Sequence, residues 1–295
     1  MMALTTRHLD FAFELGEGDF GEQGSNRIDV KGSRASVVVT WNGGLAMAEA
    51  TAKVYGLPLD VMNKLSILGK PLADARANII TIYAYDEGSA PVDIFRGFIN
   101  EAWIDGAGSP NVAFVVSAAE GIGSAMKPTE TTQYKDPVDL ALVVERIAKA
   151  AGYGFENSGV SVQVPTVYFH GTALAQLQQA AEWGDFNMQI LGGVVCIWPA
   201  RGTRDGQPTP VNKGTGLVGY PAIADGGVQL VSLFNPLVAI GRRIKVESIF
   251  TRANGEWTVS QLQHELDSET VGGKWFTNIS GRLFDFKEEG STNGG

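Results

Sequence analysis

The chain has 295 residues and a formal net charge of −9, and 44% of its residues are hydrophobic against 19% charged. This balance excludes a disordered chain, and the acidic charge argues against a nucleic-acid-binding protein, which needs a basic surface to neutralise phosphates. The only cysteine, Cys196, cannot form an intrachain disulfide, and no apolar run approaches the ~20 residues that cross a bilayer, so no membrane span is expected. The N-terminus lacks the pattern of a signal peptide, so export is not expected.

The first part of the chain is predicted to be mostly strands. Apolar residues at 9, 11, 13 and 15 alternate with other types, which is the period-two pattern of a half-buried strand. One short helix is predicted over residues 44–55, closed by Gly56 and Pro58. Further strands are predicted at 28–30, 37–41, 79–85, 94–104 and 112–118, the last two as a long hairpin.

Residues 136–199 follow a different pattern, which predicts a small α/β domain. Asp136 before Pro137 predicts a helix start, because aspartate caps free amides and proline fits the first helical position. Thr172 is predicted to start a second helix, which Gly184 ends. A tight hairpin across Gly192 and Gly193 is predicted between strands 186–191 and 194–198.

The polar, turn-rich segment 201–210 predicts a domain boundary, and strands return beyond it. Residues 241–250 and 256–266 flank Asn254-Gly255, a strong hairpin signal, and 275–286 supply another strand. The hairpins at 94–118 and 244–266 are similar in length and flank the α/β part. This symmetry indicates two related β blocks, although the sequence identity between them is too weak to define a repeat.

The motifs that could carry chemistry are weak. The segment 16–21 (GEGDFG) has the spacing of a dinucleotide-binding loop, but no helix is predicted after it to hold a pyrophosphate. His8, His170 and His264 are far apart in sequence, and none lies at a metal-ligand spacing. Cys196 lies among apolar residues and is predicted to be a buried, unreactive thiol. No GxSxG nucleophile elbow occurs.

Two further patterns have a functional interpretation and a more ordinary one. Glu265, Asp267 and Glu269 could share a strand face and attract calcium, but an acidic, solvated edge is favoured. The six tryptophans could form a sugar-binding surface, but most lie beside apolar neighbours, so packing in the core or an interface is favoured. We therefore assign no catalytic, cofactor-binding or metal-binding residue and expect no cofactor.

Several stretches, taken in order, resemble baseplate hub proteins of contractile-tailed bacteriophages, which are related to the hub domains of type VI secretion spikes. The likeness runs through nearly the whole chain and depends on the succession of stretches, since no single one is diagnostic. They are AEATAKVYGLPLDVMNKLSILG (48–69), FRGFINEAWIDGAGSPNVAFVVSAAEG (95–121), IWPARGTRDG (197–206), GTGLVGYP (214–221), VSLFNPLVAIGRRIKVES (231–248) and WTVSQLQHELDSETVGGKWFTNISG (257–281).

The resemblance implies a mainly β fold with an α/β insert, in which two tube-like β-barrel domains flank a small α/β domain. The expected domains are a first barrel at 1–128, the insert at 129–202, a second barrel at 203–289 and a flexible tail at 290–295. The implied assembly is a homotrimer whose six barrels join the sixfold tail tube to the threefold central spike. It leaves a channel that viral DNA passes through without specific binding.

The expected partners are the tail tube or a tube-initiator protein, the central spike protein and other baseplate proteins. The expected location is the tail baseplate of the virion, after synthesis in the host cytoplasm. No stretch resembles the lysozyme-like extension of some hubs, so no enzymatic activity is expected. The alternatives are another tail component with the same barrels (a tube initiator or a spike collar), a cell-wall glycan hydrolase, and a surface adhesin or carbohydrate-binding module.

Overall fold

The computed structural model describes residues 6–21, 24–43, 46–66, 78–121, 129–224 and 227–283. Within these ranges the chain is mainly β, as the sequence predicts, and most strands belong to one 13-stranded sheet. The strands of this main sheet are β1 (Arg7–Glu14), β2 (Arg27–Val30), β3 (Ala35–Asn42), β4 (Glu49–Tyr55), β5 (Ile79–Asp86), β6 (Val92–Asp105), β7 (Ala113–Ala119), β15 (Thr209–Val211), β16 (Leu217–Ala224), β17 (Gly227–Leu233), β18 (Arg243–Val246), β19 (Gly255–Ser268) and β20 (Trp275–Arg282).

Hydrogen bonding orders the main sheet as β16-β17-β20-β19-β3-β4-β7-β6-β5-β1-β2, and β18 pairs with both β19 and β15. Two groups of four strands have the same order: β3-β4-β7-β6, the N-terminal module, and β16-β17-β20-β19, the C-terminal module. Each module ends on a strand of 14 residues, β6 or β19. Each long strand carries a bulge against its hairpin partner, between Ile99 and Glu101 in β6 and between Val259 and Gln261 in β19.

The two modules share one hydrophobic core. Phe11 and Phe13 of β1 pack in the same buried cluster as Val39 of β3 and Leu262 of β19, so the sheet curls over its own apolar face. Apolar burial of this kind is the main favourable term in folding. Among the described residues the strand pairings do not close into a barrel.

A second buried cluster lies in the middle of the chain. There α2 (Leu140–Ala150) and α3 (Ala173–Gly184) pack against a small sheet in which β14 (Val194–Pro199) lies between β10 (Gly154–Asn157) and β13 (Phe186–Leu191). The apolar stripe of α2, with Val143, Val144 and Ile147 buried, is the periodic face expected of an amphipathic helix. The remaining strands are β8 (Thr132–Tyr134), β9 (Val138–Asp139), β10 (Gly154–Asn157), β11 (Gln163–Val164), β12 (Val167–Phe169), β13 (Phe186–Leu191) and β14 (Val194–Pro199).

The predicted helix at 44–55 is wrong, because residues 49–55 are strand β4 and the helix α1 (Leu59–Leu65) begins only after Pro58. The alanines of this segment favour a helix locally, but pairing with β3 on one side and β7 on the other overrides that propensity. Residues 44 and 45 lie outside the described ranges.

The predicted helix start at Asp136 is also wrong. The helix begins at Leu140, where Asp139 is the cap and its Oδ1 accepts a hydrogen bond from the Ala141 N–H at 2.9 Å. The predicted start at Thr172 is confirmed, because its Oγ1 accepts from the Ala175 N–H at 3.2 Å. The hairpin turn at Gly192 and Gly193 is confirmed by their φ angles of 57° and 80°, which glycine adopts readily.

The second long hairpin differs from the one predicted at 244–266. Only the four residues of β18 pair with β19 there, and the counterpart of the β6–β7 hairpin is β19–β20. Residues 284–286 of the predicted last strand and the predicted tail at 290–295 lie outside the described residues. No α-helix in the described part of the chain is both long and apolar enough to cross a bilayer.

Candidate functional site

One face of the main sheet packs on the core and the other is polar. On β4 the buried Ala52 lies between Thr51 and Lys53, whose side chains point to the opposite side. The strand register continues this alternation across both modules. We call it the polar face because most of its side chains are polar, although Val38, Trp103, Val115, Val231 and Phe276 also lie on it. Its polar residues are Ser36, Thr40, Asn42, Glu49, Thr51, Lys53, Glu101, Asp105, Ser117, Gln229, Gln261, Gln263, Glu265, Asp267, Asn278, Ser280 and Arg282.

Carboxylates outnumber cationic groups on the polar face. Lys53 Nζ lies 2.9 Å from Asp105 Oδ2, and this contact lowers the pKa of Asp105 and raises that of Lys53. Lys274, in the turn before β20, contacts Glu265. The remaining negative charges are those of Glu49, Glu101 and Asp267, against one further cation, Arg282.

A groove of about 550 Å³ crosses the polar face of the C-terminal module and continues onto β3 of the N-terminal module. Its polar lining is made of neutral amides and hydroxyls. Gln263 Nε2 donates to Thr40 Oγ1 at 3.1 Å, and Asn278 Nδ2 donates to Gln263 Oε1 at 3.3 Å. Such a lining offers hydrogen bonds but no acid or base to a molecule that passes over it.

The two modules differ in how their outer strands are paired. Strand β3 is bonded on both sides, by β4 and β19, whereas β16 is bonded only by β17 among the described strands. The segment 99–105 of β6 likewise has β7 as its only described strand partner, because β5 covers only the earlier part of β6. Strand edges that the described residues leave unpaired are templates for pairing with another chain.

Apolar side chains are exposed at the β16 edge. Tyr220 is 65% exposed and Ile223 is 51% exposed. The ring of Tyr220 lies 5.0 Å from that of Phe250, which is itself 49% exposed. Exposed apolar groups that adjoin a free strand edge are typical of a protein–protein contact surface.

The residues with potential chemistry are dispersed. His264 is buried between Trp41 and Phe234, its Nδ1 lies 3.0 Å from Thr277 Oγ1, and burial lowers its pKa to about 3. It is therefore a neutral core residue. Cys196 is buried, as predicted, and burial raises the pKa of its thiol to about 11, so it is not a nucleophile at neutral pH.

The acidic candidates for a calcium site do not converge. Glu265 contacts Lys274 and accepts from Asn278 Nδ2 at 2.8 Å, while Asp267 accepts from the Lys274 N–H at 2.8 Å. Glu269 lies instead near His8, at 3.8 Å. Within the described ranges no group of three potential metal ligands occurs.

The glycine-rich segment 16–21 is an exposed turn between β1 and β2. The Phe20 N–H donates a hydrogen bond to the Ser25 carbonyl at 2.9 Å, just before β2 begins. The described residues that follow form a strand and not a helix, so this segment lacks the helix N-terminus that a pyrophosphate site requires.

Most tryptophans pack in the core, as predicted, since four of the six are buried, whereas Trp183 is 51% exposed. Sequence reasoning missed Arg204, which lies in the segment 201–210 predicted as a polar boundary. Its guanidinium is buried, bonds both carboxylate oxygens of Glu156 at 2.9 Å and donates to the Ile240 carbonyl at 3.2 Å. Arg204 holds the pKa of Glu156 below its usual range and ties the middle of the chain to the C-terminal module.

Comparison with known proteins agrees with this architecture. The sequence profile of the family described as "Baseplate hub gp41" matches residues 62–277, well over half of the chain. Among proteins with curated descriptions, none matches this sequence.

Three solved structures share the fold. The prophage MuSo2 43 kDa tail protein from Shewanella oneidensis has a TM-score of 0.58 at 11% identity, covering 94% of this chain and 98% of that one. The tail protein from Neisseria meningitidis MC58 has a TM-score of 0.61 at 7% identity, covering 93% and 96%. A type VI secretion system component from E. coli, described as similar to T4 bacteriophage tail proteins gp27 and gp5, has a TM-score of 0.58 at 8% identity, covering 86% and 75%.

Proposed function

Because this chain belongs to the Baseplate hub gp41 family of phage tail structural proteins, we propose that it forms the trimeric ring that joins the sixfold tail tube to the threefold central spike. Three copies of a subunit with two four-stranded modules give six modules, which matches a sixfold partner above and a threefold partner below. Viral DNA passes through the ring, and the location is the tail baseplate of the virion. The partners are the tail tube or its initiator, the spike and other baseplate proteins.

One observation supports the proposal: the two modules are joined inside the chain by a strand pairing, and the strands that would form the equivalent pairing at the other ends of the modules do not pair with each other. Within the chain, β19, the last strand of the C-terminal module, pairs with β3, the first strand of the N-terminal module. The corresponding strands are β16, at one end of the sheet, and β6, whose segment 99–105 is not covered by β5. A head-to-tail ring in which β6 of one copy pairs with β16 of the next repeats the internal junction between copies.

The repeat also gives the register of this contact. The bulges align Glu101 with Gln261, so Asp105 takes the position of Glu265. In the N-terminal module, Ser117 of β7 pairs with Thr51, which pairs with Val38. In the C-terminal module, the equivalent Ser280 of β20 pairs with Gln229, which pairs with Ala222. Ala222 therefore has the position of Val38.

The internal junction places Glu265 opposite Val38, so the proposed contact places Asp105 of one copy opposite Ala222 of the next. The same alignment gives Ile223 the position of the fully buried Val39. This accounts for an isoleucine exposed on the isolated chain.

The domain assignment follows from this scheme. We assign residues 1–128 and 203–289 to two tube-like barrels, completed by neighbouring strands in the ring, and residues 129–202 to the insert, with 290–295 as a flexible tail. The polar face lines the channel, and its excess of carboxylates keeps the DNA phosphates from adsorbing. The role is structural and involves no catalytic step.

The test is a disulfide placed across the proposed contact. In a chain carrying both Asp105→Cys and Ala222→Cys, oxidation should link copies into covalent trimers, because directly opposite residues of an antiparallel pair have Cα atoms within ~5.5 Å. The matched control carries Glu101→Cys and Ala222→Cys, since residue 101 lies four positions before residue 105 on β6 and therefore away from residue 222 of the next copy. The buried Cys196 is alkylated on denaturation.

Size-exclusion chromatography with mass measurement reports the state before oxidation, with and without the spike protein. Covalent trimers from the Asp105–Ala222 pair, and few from the control, support the ring. A chain that stays monomeric in both conditions and forms no specific cross-link would rule it out.

A further inference from the structure

A cavity of about 400 Å³ lies where the two modules and the insert meet. Trp41 and Glu120 line it from the N-terminal module, Gly192 from the β13–β14 turn, and Ile240 from the segment after β17. Asp93 and Gly192 are exposed to solvent, whereas Glu120 is only 3% exposed. The cavity therefore has an open mouth and a carboxyl group at its buried end.

The carboxyl group of Glu120 is only partly satisfied. Its Oε1 accepts a hydrogen bond from the Gly192 N–H at 3.2 Å, while its Oε2 has no hydrogen-bond partner among the residues described. Burial raises the pKa of Glu120 to about 8, the nearby charge of Asp93 adds to this, and the backbone amides of Gly192 and Arg96 oppose it. A buried carboxyl group without a cationic partner is costly to ionise.

The other charged groups around the cavity do not supply that partner. Asp93 carries a second carboxylate, which faces solvent on one side only; this partial desolvation raises its pKa, although the Phe95 amide and the charge of Arg96 partly offset this. Arg204 reaches the cavity but is bonded to Glu156 and Ile240, and His264 is neutral. The cavity thus contains two acids and no free cation from the described side chains.

We propose that this cavity binds an organic cation, a primary ammonium or guanidinium group, which pairs with Glu120 at the buried end and with Asp93 at the mouth. The volume is far larger than a bare metal ion needs, and no set of three metal ligands is present within the described ranges. The Trp41 ring on the wall is a favourable neighbour for a cation. The group could belong to a lysine or arginine of a neighbouring chain or to a free amine.

The test is calorimetric titration of the full chain with cadaverine, a mimic of the lysine side chain, at pH 7 in two buffers of different ionisation enthalpy. Glu120 holds a proton in the empty cavity, so binding should release up to about one proton. Glu120→Gln should weaken binding at least ~10-fold and abolish the release, because a charge-assisted contact is lost. Asp93→Asn, at the exposed mouth, should weaken it roughly 5-fold.

Glu101→Gln is the matched control, because it removes a carboxylate outside the cavity and should leave binding unchanged. Circular dichroism confirms that each variant is folded. Absence of saturable binding, or equal binding by Glu120→Gln, overturns the proposal. Binding of calcium with proton release, but not of cadaverine, overturns the assignment to an organic cation.

The two sources of the cation are separated by the oligomeric state. If the cation is a side chain from another copy, Glu120→Gln and excess cadaverine both reduce trimer formation. If it is a free amine, Glu120→Gln loses cadaverine binding and the trimer is unaffected. Either result supports the site, and neither depends on the ring contact between β6 and β16.

Discussion

The two modules of the main sheet have the same strand order and the same bulged long strand, yet their first strands have different surroundings. Strand β3 is bonded on both sides and its Val39 is fully buried. Strand β16 holds the same position in the other module, but only β17 pairs with it among the described strands, and Ile223 is 51% exposed. The same strand position thus lies in a closed core in one module and at an open edge in the other.

In the proposed ring, this difference arises because the sheet continues into the next copy. An apolar side chain on a free edge is a liability for a monomer, since such edges promote association. Here the exposed residue has a buried equivalent in the other module, and the structure of that module displays the partner strand that buries it. In the proposed ring, a neighbouring copy supplies the strand that covers this edge.

The largest expected effect comes from placing the same charge in both modules. Val39→Asp buries an unpaired carboxylate and should cost about 4 kcal/mol or more of unfolding free energy. Ile223→Asp, at the equivalent exposed position, should change the stability of the dilute monomer by less than about 0.5 kcal/mol but prevent trimer formation. Urea denaturation and size-exclusion chromatography give the two readouts. An equal loss of stability in both variants would contradict the comparison.

A second prediction concerns the ends of β7 and β20, where buried Glu120 in the N-terminal module corresponds to exposed Leu283 in the C-terminal one. The pKa of Glu120 is about 8 in the folded chain and near its ordinary 4.5 when unfolded. Between these values only the folded chain keeps the proton, so the free energy of unfolding falls as pH rises. The loss from pH 4.5 to pH 7 should be about 3 kcal/mol.

Glu120→Gln removes this dependence, because its side chain does not titrate. The measurement is urea denaturation in acetate buffer near pH 4.5 and in phosphate buffer near pH 7, with Glu101→Gln as the exposed control. A variant that loses stability with pH as steeply as the original chain would show that Glu120 is ionised throughout or not buried in solution.

The local elements of this fold can be predicted from the sequence, whereas its long-range contacts cannot. The alternation of β1 and the paired glycines of the β13–β14 turn act within a few residues, so they predict their structures correctly. The β3–β19 junction links residues more than 200 positions apart, as in the Gln263–Thr40 hydrogen bond, and no local pattern specifies that register. The resemblance to a family predicts the order of the domains but not this pairing.

The burial of single polar residues is equally hidden. Glu120 is buried because the turn at Gly192, 72 residues away in the sequence, covers it. Arg204 lies in a run of turn-forming residues that predicts an exposed linker, yet Glu156, 48 residues earlier, holds it in the interior. Such burial is a property of the assembled chain.

A third prediction concerns His264 of β19. Its structural equivalent in the N-terminal module is Ile104 of β6. Burial lowers its pKa to about 3 in the folded chain, against 6.5 ordinarily. As pH falls below 6.5 only the unfolded chain gains the proton, so the free energy of unfolding falls, by roughly 2 to 3 kcal/mol at pH 4.5.

His264→Ile installs the residue of the other module and should abolish this acid sensitivity. The comparison of pH 7 with pH 4.5 is made in the Glu120→Gln background, where the opposing titration is absent. Because the difference is taken within each protein, a change in baseline packing around Thr277 does not affect it. Retention of the acid loss in the isoleucine variant would assign it to other groups.

The smallest effect on stability is expected on the polar face, where Glu101 in the N-terminal module has the position of Gln261 in the C-terminal module. A chain with Glu49→Lys and Glu101→Lys should lose less than about 0.5 kcal/mol per site, because both positions are exposed. It should nevertheless gain salt-dependent binding to duplex DNA, since added cations release counterions from phosphates. Fluorescence anisotropy at low salt measures this. The control, Glu130→Lys with Glu182→Lys, makes the same change in net charge on the insert, so equal DNA binding by both variants would show that the polar face has no special relation to the DNA path.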